Sequence, residues 1–279
     1  MREINASLIT ETVKKLCIES NCHLSRDIKE RIAELCDKEP WPQAKEILER
    51  IIENYEIADE KEQPICQDTG VACVFIKIGQ DVHVNGDINE AINDGVRQGY
   101  EEGYLRKSVV RDPLDRVNTG DNTPAMIYFE LVPGDNIEIT VAPKGFGSEN
   151  MSKIAMLPPS DGLEGVKRFV LRTIEEAGPN PCPPIVVGVG IGGTFDKAAY
   201  LAKKALLRPV CERNQNSFYA KLEEELLRQI NELGIGPQGF GGKTTALAVN
   251  IEQFPTHIAG LPVAVNINCH VTRHKTEVI

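Results

Sequence analysis

Residues 185–194 read IVVGVGIGGT, a short apolar run that passes into glycines and then into the helical pattern FDKAAYLAKKALL. Such a run is what a buried strand looks like in sequence. Gly188, Gly190 and Gly193 satisfy GxGxxG spacing, in the strand-to-helix setting that a dinucleotide fingerprint requires. The surroundings decide the fold. A doubly wound sheet needs strands and helices alternating throughout, with an acidic ribose contact after the next strand. Here helices come first, and later strands and helices alternate irregularly. MIYFELVP and NIEITVAP, separated by Gly134 and Asp135, read as an antiparallel pair. We therefore expect a mixed α/β fold of the α+β type. N-terminal helices pack on a mixed sheet with hairpins, and a doubly wound Rossmann fold is not expected. The glycines then read as a turn that brings a helix close to a strand. The amides at that helix start could hold a carboxylate.

Working outward, Ser25 reads as the N-cap of RDIKERIAELCDK, with Ile28, Ile32 and Leu35 on one face. Pro42 suits the first turn of the next helix. LEGVKRFVLRTIEEA is closed by Gly178 and Pro179, and SFYAKLEEELLRQINEL is a further helix. The apolar run VACVFIKIG after the loop QPICQDTG, and the runs ALAVNIEQF and PVAVNINCHV near the end, read as strands. No repeat or low-complexity linker interrupts the chain. We expect one domain over 1–279, with 1–60 as a helical outer layer and 61–279 binding cofactor and substrate.

The 279 residues suffice for a sizeable core. Thirty-one basic against 41 acidic residues give a net charge of −10, which argues against nucleic-acid binding. No apolar stretch is long enough to span a bilayer, and the N-terminus lacks the apolar segment of a signal peptide. A cytoplasmic protein is expected. Its eight cysteines then read as thiols and ligands and not as a disulfide framework.

Three of those cysteines lie in loop settings far apart in the chain: Cys66 in QPICQDTG, Cys182 in PNPCPP and Cys269 in NINCHV. Three thiolates suit an iron–sulfur cube with one iron left open to substrate. Cys17 and Cys36 fall within amphipathic helical patterns, Cys73 within a strand, and Cys211 in no motif; all read as structural. Cys22 and His23 fall at a helix end with no partner motif. GPQGFGGKT misses the phosphate-loop spacing by one residue, although a loop carrying Lys243 could line an anionic site. Asp112, Asp115 and Asp121 read as turn and cap residues.

Taken in order, QPICQDTG, YLRKSVVRDPL, VNTGDNTPA, APKGFGSEN, NPCPP, GIGGT, GFGGKT and NCHV resemble the α subunit of two-subunit class I fumarases and the related tartrate dehydratases. The resemblance runs from about Cys66 to the end. It implies a [4Fe–4S] cluster on Cys66, Cys182 and Cys269. It also implies contacts to a small dicarboxylate from Gln67, Asp68, Arg106, Lys144, Gly145 and Gly147, and catalytic roles for Asp68 and for His257. Arg106 can clamp one carboxylate with paired donors, and glycine amides can approach another. The chain stops shortly after Cys269, so the resemblance implies a separate β subunit that completes the site, in an α2β2 assembly. The expected reaction is the reversible dehydration of (S)-malate to fumarate, with tartrate dehydration to oxaloacetate as the alternative. A nicotinamide-dependent oxidoreductase or a zinc-stabilised protein would use the same glycines or cysteines differently.

Overall fold

The computed structural model describes residues 1–279. In chain order come β1 (Arg2–Asn5), α1 (Ala6–Cys22), α2 (Arg26–Lys38), α3 (Pro42–Lys61), β2 (Val71–Gly79), β3 (Val82–Asn85) and α4 (Ile88–Glu102). Next are β4 (Met126–Val132), β5 (Ile137–Lys144), the single turn α5 (Phe146–Glu149), β6 (Lys153–Leu157), α6 (Gly162–Ala177) and β7 (Ile185–Gly192). The last elements are α7 (Phe195–Ala205), α8 (Ser217–Glu232), β8 (Ala246–Phe254), β9 (Leu261–Asn268) and β10 (Lys275–Val278). The fold is mixed α/β, as the sequence predicts. By its contacts the chain forms two compact units. One comprises residues 1–25, 55–145 and 273–279, and the other residues 26–54 and 146–272. The N-terminal helices are shared out accordingly: α1 belongs to the first unit, α2 and most of α3 to the second.

In the first unit the strand order is β10-β5-β2-β4. β2 pairs antiparallel with β5 and parallel with β4. The predicted hairpin between β4 and β5 is therefore corrected, because β2 lies between them. The physical reason is apolarity. The first six residues of β2 are all buried, which suits an interior strand, whereas β4 exposes Met126, Phe129 and Leu131 at the sheet edge. No other consecutive strands form a hairpin either. β1 and β3 form a separate parallel pair. Ile9, Val13 and Leu16 of α1 and Ile92, Val96 and Tyr100 of α4 close the core over Val74, Ile76, Ile137, Ile139 and Val141.

In the second unit the order is β6-β9-β7-β8, and only β7 with β8 is parallel. Alternation along β7 sorts its two faces. Val187, Val189 and Ile191 join a core with Val170 and Ile174 of α6 and Leu226 and Ile230 of α8. Gly188 and Gly190 face α7. A β-carbon on Gly190 would stand 2.1 Å from the Ala198 carbonyl oxygen, and one on Gly188 2.1 Å from that of Ala202. The glycines of GVGIG thus let α7 lie directly on the strand, as the sequence reading holds. Gly190→Ala is expected to destabilise the second unit by about 3 kcal/mol, since a backbone atom cannot rotate away. Urea denaturation would show it, and an unchanged midpoint would mean that α7 can shift off β7.

Candidate active site

The loop QPICQDTG connects α3 to β2 in the first unit. Ile65 anchors it: its side chain is buried and its amide donates to the Asn21 carbonyl at 3.0 Å. Beyond it Cys66 is half-buried, Gln67 exposed and Asp68 half-buried. Asp68 Oδ1 accepts the Gly70 amide at 3.0 Å, a turn that aspartate makes readily. The buried Thr69 donates its hydroxyl to the Arg106 carbonyl at 3.0 Å, which ties YLR to QDTG. The Tyr100 hydroxyl reaches the carbonyls of Thr69 and Gly70 at 2.8 and 3.1 Å. Asn122 is fully buried. It donates to the Gly70 carbonyl at 3.2 Å and accepts the amides of Ser108 and Val109 at 2.7 and 3.2 Å.

Sheet register brings the next motif alongside. Val71 opens β2 opposite Lys144, the last residue of β5, so QDTG and KG meet at one end of the ladder. Gly70 has φ +74°, and a β-carbon there would stand 2.7 Å from the Lys144 backbone. An added β-carbon on Gly145 would meet Asp68 Oδ2 at 3.1 Å, so the carboxylate lies against Gly145. The Lys144 side chain is buried, with Nζ 3.4 Å from the Gly145 carbonyl. Arg106 is exposed. The first unit therefore gathers Gln67, Asp68, Lys144, Gly145 and Arg106.

Sequence reasoning missed Arg273. The residue is 4% exposed, and Nη2 donates to the Asp68 carbonyl. Nε and Nη1 are buried without a hydrogen-bond partner. Its position four residues after Cys269 was the available signal, but a charge near a chain end ordinarily reads as solvated.

The second unit repeats the device. β9 runs antiparallel to β7 with Val186 opposite Asn268, so Cys269, just past β9, returns beside the PNPCPP segment that leads into β7. The His270 amide and Nδ1 lie 3.4 and 3.0 Å from the Cys182 carbonyl. Cys182 is exposed, with φ +55°, and Cys269 is half-buried. Gly147 lies nearby: a β-carbon on it would be 3.9 Å from the Asn180 carbonyl oxygen. Glu149 of α5 accepts from Asn266 at 2.7 Å and from Lys203 at 2.6 Å, pinning that turn to β9.

His257 is not brought to this place. It is exposed in the turn before β9, where Nδ1 accepts the Ala259 amide at 3.2 Å. The eight residues of β9, about 26 Å of strand, separate that turn from Cys269. Within one chain the turn and Cys269 lie at opposite ends of β9.

The phosphate-binding readings lose their amides. The buried Glu39 carboxylate accepts the Lys243 amide at 3.0 Å, the Thr244 hydroxyl at 2.8 Å and the Trp41 amide at 3.3 Å, so the GGKT turn is held by an internal anion. At the start of α7, the Thr194 hydroxyl and the amides of Asp196 and Lys197 hold the Asp196 carboxyl below its ordinary range. The amides of Asp115 and Leu114 do the same for Asp112, which makes it a turn residue. Burial opposes ionisation of Asp121, but the Thr123 amide and hydroxyl and the Arg97 guanidinium prevail and hold it at about 2.

The cysteines sort by surroundings. Burial pushes the Cys17 thiol up to about 12 and also raises Cys22 and Cys36; Cys73 is buried in β2. Cys66, Cys182, Cys269 and Cys211 are the accessible thiols. No three His, Cys, Asp or Glu side chains converge as ligands of one metal ion. The thiolates of a cube bind different irons and so stand apart, and an all-sulfur donor set in loops is the set such a cluster takes. In donor type the three thiols fit the group.

The first unit thus holds a thiol, a carboxylate and a buried lysine at one sheet end, and the second holds two accessible thiols at another. A family model described as Fumarate hydratase (Fumerase) matches residues 10–278, and the chain belongs to that family; it is a hydro-lyase. It is 49% identical over 272 residues to a Methanocaldococcus jannaschii protein named "Putative L(+)-tartrate dehydratase subunit alpha", covering 95% of each chain. It is 34% identical over 275 residues to the L(+)-tartrate dehydratase subunit alpha of Escherichia coli O157:H7, covering 97% of this chain and 90% of that one. The protein of the same name from Escherichia coli K12 is 33% identical over 275 residues, with the same coverage. No helix is long and apolar enough to cross a membrane.

Proposed function

We propose that this chain is the α subunit of an iron–sulfur hydro-lyase that removes water from L(+)-tartrate to give oxaloacetate. The observation that carries the choice of substrate is the 49% identity, over 95% of both chains, to a relative bearing the tartrate dehydratase name. (S)-Malate to fumarate, favoured by the sequence motifs, is the second reading; the description of the family model supports it. Because one family model spans 10–278, we take 1–279 as one functional α domain.

Cys66, Cys182 and Cys269 would hold a [4Fe–4S] cluster. With only three thiolates, the cluster supplies an open iron that acts as a Lewis acid on the departing hydroxyl. The chain's own residues do the rest. Arg106, exposed beside the QDTG loop, clamps one carboxylate with paired donors. The buried Lys144 and the amides of Gly145 and Gly147 receive the other, and Gln67 donates to a substrate oxygen. Asp68 Oδ1 is engaged by the Gly70 amide. We therefore assign proton handling to Oδ2, which faces Gly145. His257 receives no part in the chemistry of a single chain.

The "subunit alpha" names of the relatives support a β partner that supplies the remaining substrate contacts, and we place the pair in an α2β2 assembly. We place the protein in the cytoplasm, where thiols stay reduced and available as ligands.

The test is kcat/KM for L(+)-tartrate and for (S)-malate, measured on the anaerobically purified complex with its β-type partner. A site built to bond the second hydroxyl rejects an analogue lacking it by ~10⁴-fold, so tartrate should win by at least about 10²-fold. Faster turnover of malate would put the fumarase reading first. Turnover of neither, with no iron or sulfide in the preparation, would remove the proposal altogether.

A further inference from the structure

Gln238 lies in the GPQG turn before β8 and has φ +53°, a backbone region that disfavours a side chain. Its neighbours Gly236 and Gly239 are in the same region, where glycine pays no such penalty. A glycine at 238 would therefore fit this backbone better. What it would lack is the side-chain amide, whose nitrogen has two partners.

The main-chain amide of Gln238 and its side-chain Nε2 both donate to the Pro183 carbonyl, each at 2.8 Å. Nε2 also lies 3.2 Å from His270 Nδ1. Pro183 follows Cys182 directly, and His270 follows Cys269 directly. The His270 amide and Nδ1 turn back to the Cys182 carbonyl. Gln238, Pro183, His270 and Cys182 thus form a closed set of contacts in which one side chain touches the neighbour of each thiol. Nδ1 stands between Gln238 Nε2 and Cys182 O. It is within hydrogen-bond distance of both.

We propose that Gln238 is a positioning residue that fixes the Cys182 and Cys269 thiols relative to each other. The inference rests on the reading of these thiols as cluster ligands. Residues that orient metal ligands from behind govern how firmly the metal is held. Two loops meeting at the end of a β7–β9 ladder need such a tie, because the last ladder partner is Asn268 and pairing stops before Cys269.

The experiment uses the complex with its β-type partner, purified anaerobically, as wild type, Gln238→Gly and Gln238→Leu. The glycine variant keeps the backbone and removes only the amide, so it guards against a folding failure in the leucine variant. Hydrogen exchange in the cluster-free complex reads the tie itself. Iron and sulfide content, and the rate of bleaching of the visible absorption in air, read its consequence. We expect several-fold faster exchange in peptides covering 180–184 and 269–272 of both variants, little change elsewhere, and several-fold faster bleaching. Thermal unfolding of Gln238→Gly should match or exceed the wild type. Unchanged exchange would overturn the proposal, as would faster exchange with cluster retention equal to wild type. Faster exchange in a complex whose wild type holds no iron or sulfide would support the tie and sink the cluster reading instead.

Discussion

Cys182→Ser is expected to abolish the visible absorption of the anaerobic complex and to lower turnover of tartrate and malate by at least about 10³-fold. That is the loss of ~4 kcal/mol of transition-state stabilisation expected when Lewis-acid assistance disappears. Serine differs from cysteine by one atom, and Cys182 is exposed, so the fold should be unaffected, with stability within about 0.5 kcal/mol of wild type. Cys211→Ser is the matched control. It too is an exposed thiol, outside every motif, and its replacement should change neither iron content nor rate. Iron and sulfide content with turnover, measured side by side for the two variants, decides the matter. Equal losses from both would point to thiol chemistry unrelated to the cluster, and no loss from Cys182→Ser would take that residue out of the ligand set.

Asp68→Asn separates proton handling from architecture. The asparagine carbonyl can still accept the Gly70 amide, and the Arg273 guanidinium still meets the residue 68 carbonyl, so the loop keeps its shape. What is lost is a group able to take or give a proton. The kcat should fall by ~10²–10⁴-fold, the usual contribution of a placed acid or base, with a smaller change in KM. A normal kcat would exclude Asp68 from proton handling. A large rise in KM alone would make it a binding residue.

Much of this arrangement is legible in the amino-acid sequence, and the failures have physical causes. α3 begins at Pro42, α6 ends before Gly178, and IVVGVGIG is a strand, because caps, breakers and apolar runs are local signals. Strand partners are not local. MIYFELV and IEITVAPK look like two arms of a hairpin until VACVFI is ranked against them as the more continuously apolar run, which therefore takes the interior position. The motifs around Cys66, Cys182 and Cys269 are visible as motifs. The register that sets QDTG beside KG, and PNPC beside NCH, appears only once the sheets are formed. Arg273 and Glu39 were illegible for another reason: each is a charged residue whose burial depends on backbone groups distant in sequence. His257 shows the converse, since proximity in sequence to Cys269 says nothing of proximity in space when a strand intervenes.

The division of the chain also has a consequence for its synthesis. The first unit is written in three pieces, and its last piece, 273–279, follows the whole of 146–272. A ribosome therefore delivers Cys66, Asp68 and the ladder of β2 and β5 long before it delivers Arg273 and β10. During that interval the loop carrying Cys66 exists without the guanidinium that grips the Asp68 carbonyl and without the edge strand beside β5. The second unit can be complete first. Any metal loading before residues 273–279 are made would meet a half-finished loop.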